Sequence, residues 1–264
     1  MIDNSNIVIL ILSTNKPKYQ YFKAAIQKTW LQDFKNIGIK CFFYEGDSDS
    51  NYIQGDVIKV KSPDDLYGVS HKLVEALKVV FEIYPETQLI YRTNLSSYID
   101  VQTFMKYIHY HSFSDQTYAG VIGNTYLFKE KLYKNKLLYF ILQFIPLGKK
   151  LQFASGAGFF LGAIHCRKII STRVNLNLVD DIMVAHTIKV KPLDNAIPER
   201  LLVSSNTRNR YTKEAFNKLV NERLLFHYRF KTINRNDDAI ILSMFGEKHY
   251  RESYFTSNEK NIIK

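Results

Sequence analysis

A mostly parallel α/β sheet is the fold class this sequence predicts, and three observations predict it. First, Ile7–Leu12, Ile39–Tyr44 and Leu89–Tyr91 are continuous apolar runs without alternation. Such runs fit strands covered on both faces. Second, helical stripes lie between them. Phe22, Ala25, Ile26 and Trp30 share one face of Tyr19–Trp30, and Leu73, Ala76, Leu77 and Val80 share one face of Leu66–Phe81. Third, the strand runs stop at polar or glycine-containing clusters: Ser13-Thr14-Asn15, Gly46 to Asp49, and Arg92 to Ser97. Alternating strands and helices imply right-handed crossovers, with ligands outside the carboxyl ends of the strands.

The remaining elements follow in order. Asp56–Val60 reads as a short strand, and a helix is expected to start near Asp100, with Ser97 or Asp100 as its cap. Tyr118–Ile122 reads as a strand. Residues 124–150 form an aromatic, basic excursion, read as a β-ribbon or lid. "FASGAGFFLG", Phe153–Gly162, is punctuated by small residues that permit close approach. Cys166–Ser171 and Val179–Ile188 read as helices, and Asn206–Tyr211 as a polar loop. "FHYRFKT", Phe226–Thr232, alternates like a strand, and a last helix spans about Asn236–Phe245. The tail beyond Tyr254 is polar. No repeat or linker is visible. We therefore expect one domain over 1–264: a nucleotide-binding half to about 110, an acceptor half over about 111–250, and a polar tail over 255–264.

The chain has 264 residues, 46% of them hydrophobic, and a net charge of +11. That composition supports a packed globule. The charge suits an anionic partner, although the abundance of Lys, Asn, Ile and Tyr also fits an AT-rich genome. No zinc finger, RNP motif or Arg-rich arm points to nucleic acid. Cys41 and Cys166 make neither a disulfide framework nor a CxxC site. The start lacks a basic segment and signal core, and "LLYFILQFIP", Leu137–Pro146, is too short to span a bilayer. The expected location is therefore cytoplasmic, in a virus or AT-rich microbe. Flanking lysines could rest residues 131–150 on a membrane surface, though an internal hairpin or core helix is the favoured reading.

Five short segments carry the chemistry: "IQKTW" to Trp30, "DLYGVSHKL" from Asp65, "YRTNLSSYID" to Asp100, "SGAGFFLG" from Ser155, and "DDIMVA" from Asp180. Alone, Trp30 reads as core, Asp65 as a helix cap, Lys72 equally as a solvated lysine or a phosphate contact, and Asp180-Asp181 as ordinary helix-start carboxylates. In order and spacing, the series resembles the β1,3-galactosyltransferase and Fringe family of glycosyltransferases. The match covers about residues 7–190. Gln27 stands where that family has arginine. Asp65, Tyr67 and Lys72 are kept.

The resemblance implies a GT-A fold and an inverting single displacement. It implies Asp181 as the base toward the acceptor hydroxyl, beside Asp180 at the family's preceding glutamate. One base suffices because inversion forms no covalent sugar intermediate. The family's aspartate triplet, which holds manganese, is replaced here by Asn94, Leu95 and Ser96. An amide and a hydroxyl are poor ligands for a hard cation without a carboxylate. We therefore expect no metal site and no required cofactor, with Mn2+ an unneeded extra.

Cations must then neutralise the leaving diphosphate. The candidates are Lys72, Arg92 and, on one face of "HYRFK", His227, Arg229 and Lys231. Arg208, Arg210 and Arg235 are less specific alternatives, and an edge strand guarded by charge is the plainer reading of "HYRFK". Thr14, Asn94 and Ser96 are expected to line the donor site, and Ser155, Gly156 and Gly158 the substrate approach. The expected partners are a nucleotide sugar, by resemblance a UDP-sugar, and a glycan acceptor. The rival readings are an inactive relative that binds nucleotide or glycan, and a nucleic-acid or membrane-surface binder driven by charge.

Overall fold

The computed structural model describes residues 2–127, 149–193, 200–204, 225–233 and 235–247. Its main sheet has seven strands in the order β3-β4-β2-β1-β5-β8-β7. These are β1 (Ile7–Leu12), β2 (Lys40–Glu45), β3 (Tyr52–Gln54), β4 (Val57–Lys59), β5 (Leu89–Asn94), β7 (Tyr118–Tyr126) and β8 (Lys150–Gly162). The four strands β4, β2, β1 and β5 are parallel neighbours. β3 at one edge and β8 next to β5 run the other way, and β7, the other edge, returns antiparallel to β8. The predicted fold class is the observed one.

The apolar runs explain the layering. Ile7, Ile9 and Ile11 of β1 point to one face, and Val8 and Leu10 to the other; all five are fully buried. The first face is covered by α1 (Gln20–Lys28), α2 (Trp30–Asn36), α4 (Val101–Tyr110) and α7 (Arg235–Phe245). The second is covered by α3 (Val69–Ile83), α5 (Ala163–Ser171) and α6 (Asp180–Ile188). Each large side chain buried this way contributes roughly 1.5–3 kcal/mol. The first face also holds an aromatic cluster. Tyr91 and Phe160 pack tilted with ring centroids 4.5 Å apart, and Phe226 lies 4.9 Å from Tyr107 and 5.2 Å from Phe104.

Three local features depart from expectation. The helix expected over Tyr19–Trp30 breaks at Thr29, whose hydroxyl donates to Ala25 O at 2.7 Å instead of leaving the helix undisturbed. Trp30 then starts α2, fully buried, with its indole N–H donating to Ser97 O at 2.9 Å. Asp65 does not cap α3. It accepts from Gly68 N at 2.7 Å, and Gly68 is the residue before the helix. Between Asn94 and α4 lies an unexpected strand, β6 (Ser97–Ile99), which joins a second sheet, β6-β10-β9. There β10 (His227–Lys231) pairs antiparallel with β6 and parallel with β9 (Arg200–Ser204). Asp100 does cap α4, accepting from Thr103 N at 2.9 Å.

Cys41 and Cys166 are buried and free. Among the described residues, no helix is long and apolar enough to cross a membrane. The expectations for 131–148, for Asn206–Tyr211 and for the tail over 255–264 lie outside the described residues.

Candidate functional site

A cleft of about 440 Å³ opens at the carboxyl ends of β1 and β5, where the fold class places ligands. Its floor is a polar hub built on Asp64. This carboxylate accepts from Thr14 Oγ1 at 2.5 Å, Asn15 N at 2.9 Å, Gly46 N at 3.2 Å and Lys72 Nζ at 2.8 Å. Lys72 also donates to Ser13 O at 3.0 Å. Asp64 and Lys72 are 5% and 3% exposed. Burial works to raise the Asp64 pKa, but hydrogen bonds from Lys72 and Thr14 outweigh it and hold the carboxyl below its usual value. Lys72 thus ties the loop after β1 to the start of α3.

One wall is the turn Asn94-Leu95-Ser96. Asn94 Oδ1 accepts from Ser96 N at 3.1 Å, Ser96 Oγ at 2.9 Å and Ser97 Oγ at 3.3 Å. Leu95 is buried. The turn offers no carboxylate, and its one amide oxygen already serves three donors. This donor set does not fit a divalent cation. Among the described residues, no three His, Cys, Asp or Glu side chains converge as a metal site would require. Beside this turn, on the neighbouring strand β10, Arg229 also lines the cleft, as does Arg235. Arg235 also donates to Phe230 O at 3.2 Å and pairs with Asp238.

The acidic pair sits on the α3–α6 side of the sheet. Residues two apart on a strand share a face, so Arg92 is one repeat, roughly 6–7 Å, from Asn94. Arg92 is 2% exposed and donates to Tyr44 Oη at 3.1 Å. It also meets Gly156 O and forms an ion pair with Asp180. Burial opposes its charge, yet Asp180 and then Tyr44 outweigh that penalty and raise its pKa. The next residue is treated differently. Asp181 Oδ2 accepts from Gly156 N at 2.7 Å, and Oδ1 accepts from Ile182 N at 2.9 Å. Burial, and then the negative charge of Asp180, push its pKa up to about 6. A carboxyl poised there is suited to take a proton near neutral pH.

No family model matches the chain, and no curated protein matches it. One similar solved structure is described as a glycosyltransferase involved in the glycosylation of the major capsid of PBCV-1. It is 12% identical, with a TM-score of 0.46, over 90% of this chain and 98% of that one.

The other expected site residues separate by environment. Thr14, Asn94, Ser96 and Arg229 line one cleft, with Lys72 in its floor. Arg92, Asp180, Asp181 and Gly156 form the adjoining cluster. A Cβ on Gly156 would lie 3.0 Å from Asp181 Oδ2, so glycine lets the backbone meet the carboxylate. Ser155 is half-buried beside it on β8. Gly158 faces the aromatic core instead. A Cβ there would strike Tyr91 Oη and lie 2.7 Å from His227 Nδ1. His227 is fully buried, with Nδ1 at 2.8 Å from Tyr91 Oη and Nε2 at 2.7 Å from Ser97 Oγ. Lys231 is exposed at the end of β10. Sequence reasoning missed Asp64, which stands next to the more conspicuous Asp65, and Tyr44, which reads as ordinary strand.

Proposed function

We propose that this protein is a glycosyltransferase that moves a sugar from a nucleotide-sugar donor to a hydroxyl of a glycan acceptor with inversion. The observation that carries the proposal is Asp181. It is a carboxyl raised to about 6, fixed by Gly156 N, and its neighbour Asp180 holds Arg92, which stands one strand repeat from Asn94 in the cationic cleft at the sheet's carboxyl edge. In this reading the acceptor oxygen attacks the anomeric carbon. Its proton passes to Asp181 as the bond to the nucleotide diphosphate breaks. No enzyme–sugar bond forms. Asp180, occupied by Arg92, positions its neighbour and does not act as the base.

The donor, which the family resemblance suggests is a UDP-sugar, would occupy the cleft. Thr14, Asn94 and Ser96 would meet its polar groups. Arg229, and Arg235 with it, would face the diphosphate and do the neutralising work of a metal. The metal-independent reading rests on the poor donor set of the turn after β5. Lys72 and Arg92 would shape this field from buried ion pairs. The test is Asp181→Asn. Transfer should fall at least about a hundredfold while UDP binding, measured by calorimetry, stays within twofold of the parent at about the same affinity. Normal transfer by the variant removes Asp181 from the mechanism. UDP binding without transfer by the parent, across a panel of donors, would support the inactive reading.

A further inference from the structure

A second cavity, of about 520 Å³, opens where the far end of the β7–β8 ribbon meets the end of α6. Lys149, Lys150, Lys189 and Lys191 line it, and all four are exposed. None of the four has an acidic partner among the described residues. Elsewhere the pattern differs: Lys23 and Lys59 pair with Glu45, Lys35 with Asp56, Lys72 with Asp64 and Lys78 with Glu75. Lysines gathered around one concavity repel one another. Their field is focused by the apolar walls and reaches about 8 Å at physiological salt. Gln152, on the same wall, adds a neutral hydrogen-bonding side chain.

Two elements connect this cavity to the acidic pair. Helix α6 carries Asp181 in its first turn and is followed by Lys189. Along the axis, that separation is roughly 12 Å. Strand β8 touches Asp181 through Gly156 and reaches the cavity through Gln152 and Lys150. The cleft proposed for the donor holds Asn94, one strand repeat from Arg92, the partner of Asp180. The acidic pair is therefore linked to that cleft through β5 and to the lysine cavity through α6 and β8.

We propose that the lysine cavity binds phosphate groups on the acceptor, so that the acceptor is a phosphorylated saccharide. This rests on the transferase reading, in which a hydroxyl of the same molecule lies at Asp181. The phosphate could belong to a soluble sugar phosphate or to a lipid headgroup, and the proposal commits to the sugar.

The test uses the full chain with UDP at saturation, which occupies the donor cleft. Fructose 1,6-bisphosphate is titrated by calorimetry, with fructose as the uncharged control. In parallel, the protein is sedimented with vesicles of phosphatidylcholine and phosphatidic acid. The bisphosphate should bind, fructose should not, and affinity should fall as salt rises. The double variant Lys150→Glu/Lys191→Glu should weaken bisphosphate binding by about tenfold or more and leave UDP binding unchanged. Lys150→Gln/Lys191→Gln should weaken it less, and circular dichroism checks the fold of both. Arg229→Ala should do the reverse, weakening UDP and sparing the bisphosphate. Bisphosphate binding that is absent, or indifferent to the lysines, overturns the proposal. So does binding confined to vesicles, which would make the patch a membrane contact. Failure of UDP to bind, with the lysine effect intact, would instead count against the transferase reading alone.

Discussion

Asp180 and Asp181 are chemically identical neighbours with different tasks. Asp180 is engaged by the Arg92 guanidinium. Asp181 receives only two backbone N–H groups and remains close to Asp180's charge, which together with burial lifts its pKa to about 6. A carboxyl raised in the folded state is protonated below that value and ionised above it, and only the ionised form can accept a proton. The value of kcat/KM for transfer should therefore rise about tenfold per pH unit below pH 6 and level off above it. A profile flat between pH 5 and 7, both being about a unit from the midpoint, would contradict this. The same shift makes ionisation of Asp181 cost stability as pH rises from its unfolded value through 6.

Residue types were readable at this scale, but their partners were not. Lys72, Arg92 and His227 announced themselves as basic. Nothing in the sequence told that Asp64, Asp180 and the Tyr91–Ser97 pair would engage them, because those contacts span 8 to 136 positions. Burial decides the matter: an isolated buried charge is costly, so Lys72 and Arg92 each pair with a carboxylate, and buried His227 has both ring nitrogens engaged by hydroxyls.

At the scale of elements, the long apolar strands were legible because covering both faces removes alternation. β1 runs over Ile7–Leu12, as the sequence predicts, and β2 and β5 differ from expectation mainly at their ends. β6 was not legible. Three residues carry no periodicity, and their pairing depends on a strand about 130 residues later. The glycines of β8 also had a mixed meaning. Gly156 belongs to the acidic cluster, whereas Gly158 makes room for the Tyr91–His227 contact under the aromatic cluster. Gly158→Ala should therefore lower stability by about 1–3 kcal/mol, the cost of overpacking, as read by denaturant midpoint. A variant as stable as the parent would overturn the assignment of Gly158 to that contact.

At the scale of the whole molecule, the basic residues that the structure describes are not spread as a uniform coat. Lys72 and Arg92 are neutralised in buried pairs, Arg229 and Arg235 line the cleft, and four lysines surround the second cavity. A cleft whose positive charge is covalently built in does not depend on a dissociable ion. EDTA should leave transfer within about twofold of the untreated rate, whereas raising salt should weaken donor binding. Strict manganese dependence in the same assay would show that a metal, and not arginine, neutralises the leaving group.

The short β6–β10 pairing has a consequence for biosynthesis. β1 through β5 are complete by residue 94, but the strand that brings Arg229 to the cleft comes more than a hundred residues later. On the ribosome, the cleft floor is translated first and the strand that carries Arg229 more than a hundred residues later. A partly made chain would hold the polar hub of Asp64 without Arg229 and Arg235. An anionic ligand that needs those arginines could be held only once they too have left the exit tunnel.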